Sequence, residues 1–168
     1  MISPVWMSEL TVTLLLAASV AHAAFQLTVT VLVYPSLIAT APGDWDRTHD
    51  RHTRRITPLV GLIYVPLALA CGLAAWQLLS TLLADPASLV DGAGAALLAA
   101  GVVVALTGAA GAAAATAFGA APVHGRLGAG HDEALLARLL TYDRWRCGAA
   151  VLGAGGAGLA AAAGSAIG

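Results

Sequence analysis

Apolar residues dominate four long stretches of the chain, at about residues 9–34, 58–83, 95–121 and 147–167. A helix needs about 20 apolar residues to span the hydrocarbon of a bilayer. In lipid every backbone group must be paired within its own segment, which a helix achieves. The pattern therefore predicts that all 168 residues form a single all-α integral membrane domain, a bundle of four transmembrane helices.

Prolines stand near the ends of these stretches. Pro35 and Pro122 follow the first and the third, and Pro86 follows the second. Thr57 and Pro58 have the pattern of a helix cap followed by proline at the first helical position, where no backbone donor is lost. We therefore expect the first and third helices to end before their prolines and the second to begin at Pro58.

Charged residues are few and unevenly placed. Only 10% of the chain is charged, against about 25% in a typical soluble domain. All eight basic residues are arginines, and they fall between the first and second or the third and fourth stretches: Arg47, Arg51, Arg54, Arg55, Arg126, Arg138, Arg144 and Arg146. The positive-inside rule then places loops 35–57 and 122–146 in the cytoplasm and both termini outside, in the plasma membrane of a cell. Because membrane topology accounts for the arginines, we expect no nucleic-acid partner.

The first stretch also contains Ala21-His22-Ala23, which is similar to a signal-peptidase site. The residues before it include Glu9 and no basic residue, unlike the start of a signal peptide. The apolar run also continues beyond this site. We therefore expect a spanning helix rather than a cleaved signal.

Polar residues recur at helical spacing within the first stretch, at Ser19, His22, Gln26 and Thr30. An ionisable residue inside a span indicates function by default, and such a stripe must face other helices or a cavity. We take His22 and Gln26, with Tyr64 on the second helix, as candidate substrate-binding residues. Hydrogen bonding between helices is the alternative interpretation.

Two histidines lie one helical turn apart in the first basic segment, at His49 and His52, and a third follows Pro122, at His124. Residues three apart share a helix face. Imidazole nitrogens bind transition metals, so these three histidines are candidate metal ligands, although no cofactor can be named. The alternative is a solvated loop whose arginines set orientation and touch anionic lipid.

The last basic segment contributes further candidates. Asp143 and Arg146 are three residues apart and can form an ion pair on one helix face. The amphipathic stretch 131–145 either lies along the membrane surface or extends the fourth helix. Glycine and alanine dominate the third and fourth stretches and suit close packing between helices, which also allows a homo-oligomer.

The chain resembles small bacterial four-helix membrane proteins related to the anthrone-oxygenase-like family. The residues that carry the resemblance are Tyr34-Pro35, His49-x-x-His52-x-Arg54-Arg55-Ile56, Pro122-x-His124-x-x-Leu127 and Asp143-x-Trp145-Arg146. Anthrone oxygenases convert polycyclic phenolic anthrones to quinones with dioxygen. The resemblance implies that His52 and His124 are candidate bases and that Arg55 or Arg146 stabilises a phenolate or enolate.

Two functional hypotheses follow. The first is a membrane enzyme of the oxidoreductase or oxygenase type, acting on a lipophilic small molecule that enters from the bilayer. Its catalytic candidates lie at the cytoplasmic face: His52, Arg55, His124, Asp143 and Arg146. The second is a small oligomeric transporter or an accessory membrane subunit without catalysis, in which His22 and Gln26 line a path.

Overall fold

The computed structural model of the protein describes residues 7–167, and this part of the chain is almost entirely helical. Its long helices are α1 (Glu9–Ile38), α2 (Trp45–Ala84), α3 (Gly92–Leu127) and α4 (Glu133–Ile167). Short 3₁₀ turns at Pro42–Asp44 and Pro86–Leu89 lie in the connections before α2 and α3. Each of the four helices is long and apolar enough to cross a membrane, which confirms the predicted all-α, four-helix class.

The basic segments are mostly helical, so the predicted start of α2 at Pro58 is wrong. The helix begins at Trp45, and Pro58 lies within it. Proline removes one helical hydrogen bond, but tertiary contacts of the preceding turns keep α2 continuous. At the start of α4, the Asp132 side chain accepts a hydrogen bond from the Leu135 amide at 3.0 Å. This cap fixes the helix start at Glu133, so segment 131–145 extends the fourth helix.

The predicted helix ends at Pro35 and Pro122 are also wrong, because α1 and α3 continue through both prolines. A π-helical turn precedes each proline by two residues, at Val29–Val33 in α1 and Thr116–Ala120 in α3. A proline ring clashes with the carbonyl four residues earlier. The wider π turn accommodates that carbonyl without ending the helix. Such turns are frequent at functional sites, and both border the cavity described below.

Glycines bring α3 and α4 into backbone contact, as the small-residue pattern predicts. A Cβ placed on Gly108 would lie 2.5 Å from the Gly153 nitrogen, and one on Gly101 would lie 2.6 Å from the Ala160 nitrogen. Only glycine permits this approach. α1 also packs on α4 and α2, whereas α2 and α3 contact each other much less. The loose α2–α3 contact leaves room for a cavity.

We expect Gly156→Ala to destabilise the bundle by about 1–3 kcal/mol, the usual effect of overpacking. Its Cβ would lie 2.5 Å from the Ala105 nitrogen, which is backbone and cannot move aside alone. Gly158→Ala is the matched control two residues away, where a Cβ meets nothing within 4 Å. Free energies of unfolding in mixed detergent micelles would test this. Equal stability of the two variants would contradict the packing.

Candidate functional site

A cavity of about 570 Å³ lies between α1, α2 and α3, with one wall residue from α4. Its apolar wall includes Phe25, Val29, Ile56 and Val60. Its main polar side chains are Tyr34, His49, Asp50, His52, Arg54, His124 and Arg146. The volume is within the 300–1,000 Å³ of typical small-molecule sites, which also combine an apolar wall with a few polar groups.

Three histidines from two helices meet at this cavity. His49 Nε2 and His124 Nδ1 are 3.0 Å apart, so one ring nitrogen donates a hydrogen bond to the other. The His52 ring stacks on His124 with centroids 5.5 Å apart and an interplanar angle of 12°. The two basic segments therefore converge, although His49 and His124 are 75 positions apart in the sequence.

Trp45 holds the histidine cluster in place. It is 1% exposed, and its indole Nε1 donates a hydrogen bond to the Leu127 carbonyl at 2.9 Å. Leu127 ends α3, where helix carbonyls lack an intrahelical partner. The indole also stacks on the His49 ring, with centroids 5.2 Å apart. Trp45 thus joins the start of α2 to the end of α3 beside the cavity.

Trp45 is not among the site residues predicted from the sequence, although the chain carries a signal for it. Trp45, His49, His52, Ile56 and Val60 recur at helical spacing, so they share one face of α2. That face is directed at the cavity, because all of these residues except Trp45 line it.

Burial lowers the pKa values of the three histidines of the cluster. All three lie outside the apolar stretches at residues 58–83 and 95–121. The pKa of His124 falls to about 4 because the imidazole is desolvated and lies beside His49 and His52. Desolvation also lowers the pKa of His52, with His49 adding to the effect. The pKa of His49 is lowered by desolvation, which Asp50 and Asp46 partly oppose. Near pH 7 the cluster is neutral, so each imidazole has an unprotonated ring nitrogen, and the lowered pKa makes it a weaker base than a free imidazole.

These pKa values predict a loss of stability in acid. Unfolded histidine has a pKa of about 6.5, so below that pH the unfolded chain binds more protons than the folded chain. Stability that is fully present above pH 6.5 should therefore decline as the pH falls towards the pKa of His124, about 4. His124→Gln should flatten this dependence. Free energies of unfolding at pH 7 and at about pH 4.5 would test both, and parallel curves for parent and variant would contradict it.

The donor geometry does not fit a metal bound by His49, His52 and His124. In the described part of the chain, no group of three or more His, Cys, Asp or Glu side chains is arranged to hold a metal ion. Ligands direct lone pairs at a common ion, whereas His49 and His124 share a hydrogen between their ring nitrogens.

The other candidate residues occupy different places. Asp143 and Arg146 form the predicted ion pair, with Oδ1 and Nη2 3.4 Å apart, and both are buried. Arg146 also lines the cavity. Arg55 is exposed and is not part of the cavity wall, which its neighbour Arg54 joins instead.

Three residues of the polar stripe on α1, Ser19, His22 and Gln26, are buried, and Thr30 is half-buried. His22 is 2% exposed, and its ring meets Tyr64 of α2 edge-on with centroids 4.8 Å apart. Gln26 is fully buried and accepts a hydrogen bond from Arg146 Nη2 at 3.2 Å. His22, Gln26 and Tyr64 are not among the residues that line the cavity. Arg146 is the residue that contacts the stripe and also borders the cavity.

No protein-family model, curated protein or solved structure matches this chain. The chemistry of the cavity is therefore the basis for any functional conclusion. It combines an apolar wall, neutral bases and a buried guanidinium. This combination suits a lipophilic molecule that carries an acidic O–H or C–H bond.

Proposed function

We propose that the protein is an integral membrane enzyme of the oxidoreductase or oxygenase type, acting on a lipophilic phenolic small molecule. The four apolar helices would span the plasma membrane, with segments 35–57 and 122–146 at the cytoplasmic face and both termini outside. All eight arginines lie in these two segments, which supports this orientation.

The observation that carries the proposal is the combination of groups at one cavity. Seven of the eight arginines are exposed, whereas Arg146 is only 8% exposed and borders the cavity. Membrane topology needs no buried arginine, so Arg146 has another role. A guanidinium in an apolar site stabilises an anion such as a phenolate far better than it would in water.

The proposed chemistry assigns two roles to residues that line the cavity. His52 or His124, neutral near pH 7, removes a proton from the substrate, and Arg146 stabilises the resulting phenolate or enolate. The electron-rich ring system then reacts with dioxygen. The CH₂ group becomes a carbonyl and dioxygen supplies its oxygen atom, so that one quinone and one water form for each dioxygen consumed.

The direct test uses the purified protein in lipid nanodiscs with a hydroxylated anthrone. We expect dioxygen uptake and quinone absorbance to rise together in equal amounts, well above the rate in protein-free nanodiscs. Equal rates with and without protein would overturn the proposal for this substrate class. Proton flux in liposomes that His22→Leu abolishes would instead favour the transporter.

The substrate should enter from the lipid between α2 and α3. Ala121 lines the cavity and is exposed, so it lies at the edge of the opening. We expect Ala121→Trp to raise KM for an anthrone at least about tenfold. The indole would fill the opening, and the substrate would lose contacts worth more than about 1.4 kcal/mol. Ala114→Trp is the control, since Ala114 is exposed on α3 away from the cavity. Equal KM values for both variants would contradict this route.

A further inference from the structure

A second group of polar side chains lies buried between α1 and α4, and the proposed reaction does not use all of it. The group consists of His22, Gln26, Asp143 and Arg146, each at most 8% exposed. Arg146 Nη2 donates a hydrogen bond to the Gln26 side-chain oxygen at 3.2 Å, which joins the two helices within this group. These four residues are called the interhelical polar group below.

Each member of the interhelical polar group has a buried polar atom without a hydrogen-bond partner among the described residues. These atoms are His22 Nε2, Gln26 Nε2, Asp143 Oδ2 and Arg146 Nε. Leaving such atoms unpaired in an apolar interior is strongly unfavourable. More than nine-tenths of buried polar groups in proteins are paired, so four in one group indicate a bound molecule.

The hydrogen-bonding character of these atoms identifies the molecule. Gln26 Nε2 and Arg146 Nε donate, Asp143 Oδ2 accepts, and His22 Nε2 accepts in one tautomer. Two donors and two acceptors are the complement of water, which accepts two hydrogen bonds and donates two. The atoms are fully buried, so a larger ligand in the cavity does not reach them.

We propose that the interhelical polar group binds internal water, as a single molecule or a short chain that links His22 on α1 to the Asp143–Arg146 ion pair on α4. Buried waters typically make about three hydrogen bonds to groups that otherwise lack a partner. The water holds the guanidinium of Arg146 in position, and Arg146 also lines the cavity. This inference does not depend on the proposed oxidation.

The test is pulsed X-ray hydroxyl-radical labelling of the intact protein in nanodiscs, in water enriched in ¹⁸O. Radicals formed from an internal water label the side chain beside it, so His22 should take up label although it is 2% exposed. Trp45 is the matched control, because it is 1% exposed and its Nε1 already has a protein partner. Tryptophan also reacts faster than histidine with hydroxyl radicals, so intrinsic reactivity alone would give Trp45 the higher label.

We expect several-fold more label on His22 than on Trp45. Labelling of His22 at or below the level of Trp45 would overturn the proposal. A high-resolution structure of the protein in lipid gives an independent check. Density for water within about 3.2 Å of at least two of the four atoms would support the proposal. Apolar side chains packed directly against these atoms, with no water density between, would refute it.

Discussion

His124→Ala should lower the turnover of a hydroxylated anthrone by about 100-fold or more. A positioned general base contributes about 10²–10⁴-fold to a rate. His124 lines the cavity, hydrogen-bonds to His49 at 3.0 Å and stacks on His52, so its removal changes the environment of every candidate base. Dioxygen uptake and quinone formation in nanodiscs would measure the loss.

The control is His131→Ala. His131 belongs to the same basic segment, but it contacts the edge of Trp45 and does not line the cavity. Its removal should leave turnover within about threefold of the parent if proton transfer belongs to the cavity histidines alone. Should His124→Ala and His52→Ala both retain the parent rate, the assignment of the base would fail.

The presence of four apolar helices follows from the sequence, but their ends do not. The bilayer imposes a minimum length on an apolar span, so about 20 apolar residues suffice to identify one. Helix ends depend on contacts that a local pattern does not contain. α2 continues through Pro58 to Trp45, where the indole bonds to Leu127, a residue 82 positions away.

The convergence of the histidines follows from the sequence for a similar physical reason. Helices that alternate in direction bring the first and third connecting segments to the same end of a bundle, so His49, His52 and His124 meet. Which side chains line the cavity is less predictable. Arg54 rather than Arg55 lines the wall, because one residue along a helix turns a side chain by about 100°.

Asp143→Asn should destabilise the protein by about 3–5 kcal/mol, because breaking a buried ion pair leaves a buried charge without its partner. Asp143 is fully buried and Arg146 is 8% exposed, so bulk solvent has little access to the guanidinium, and a neutral internal water supplies no charge to replace the lost carboxylate. The remaining contact, from Arg146 to the neutral Gln26 oxygen, does not balance the charge. Free energies of unfolding in mixed detergent micelles would measure the change.

Asp44→Asn is the matched control, because Asp44 pairs with Arg47 at the same three-residue spacing. Both side chains of that pair are more than half exposed, so the change should be at most about 1 kcal/mol. Replacing both buried charges, as in Asp143→Leu with Arg146→Met, should cost less than Asp143→Asn alone, since no unpaired charge remains. If Asp143→Asn and Asp44→Asn proved equally mild, the Arg146 guanidinium would be open to bulk water in the protein, and it could not serve as the anion-stabilising group of an apolar cavity.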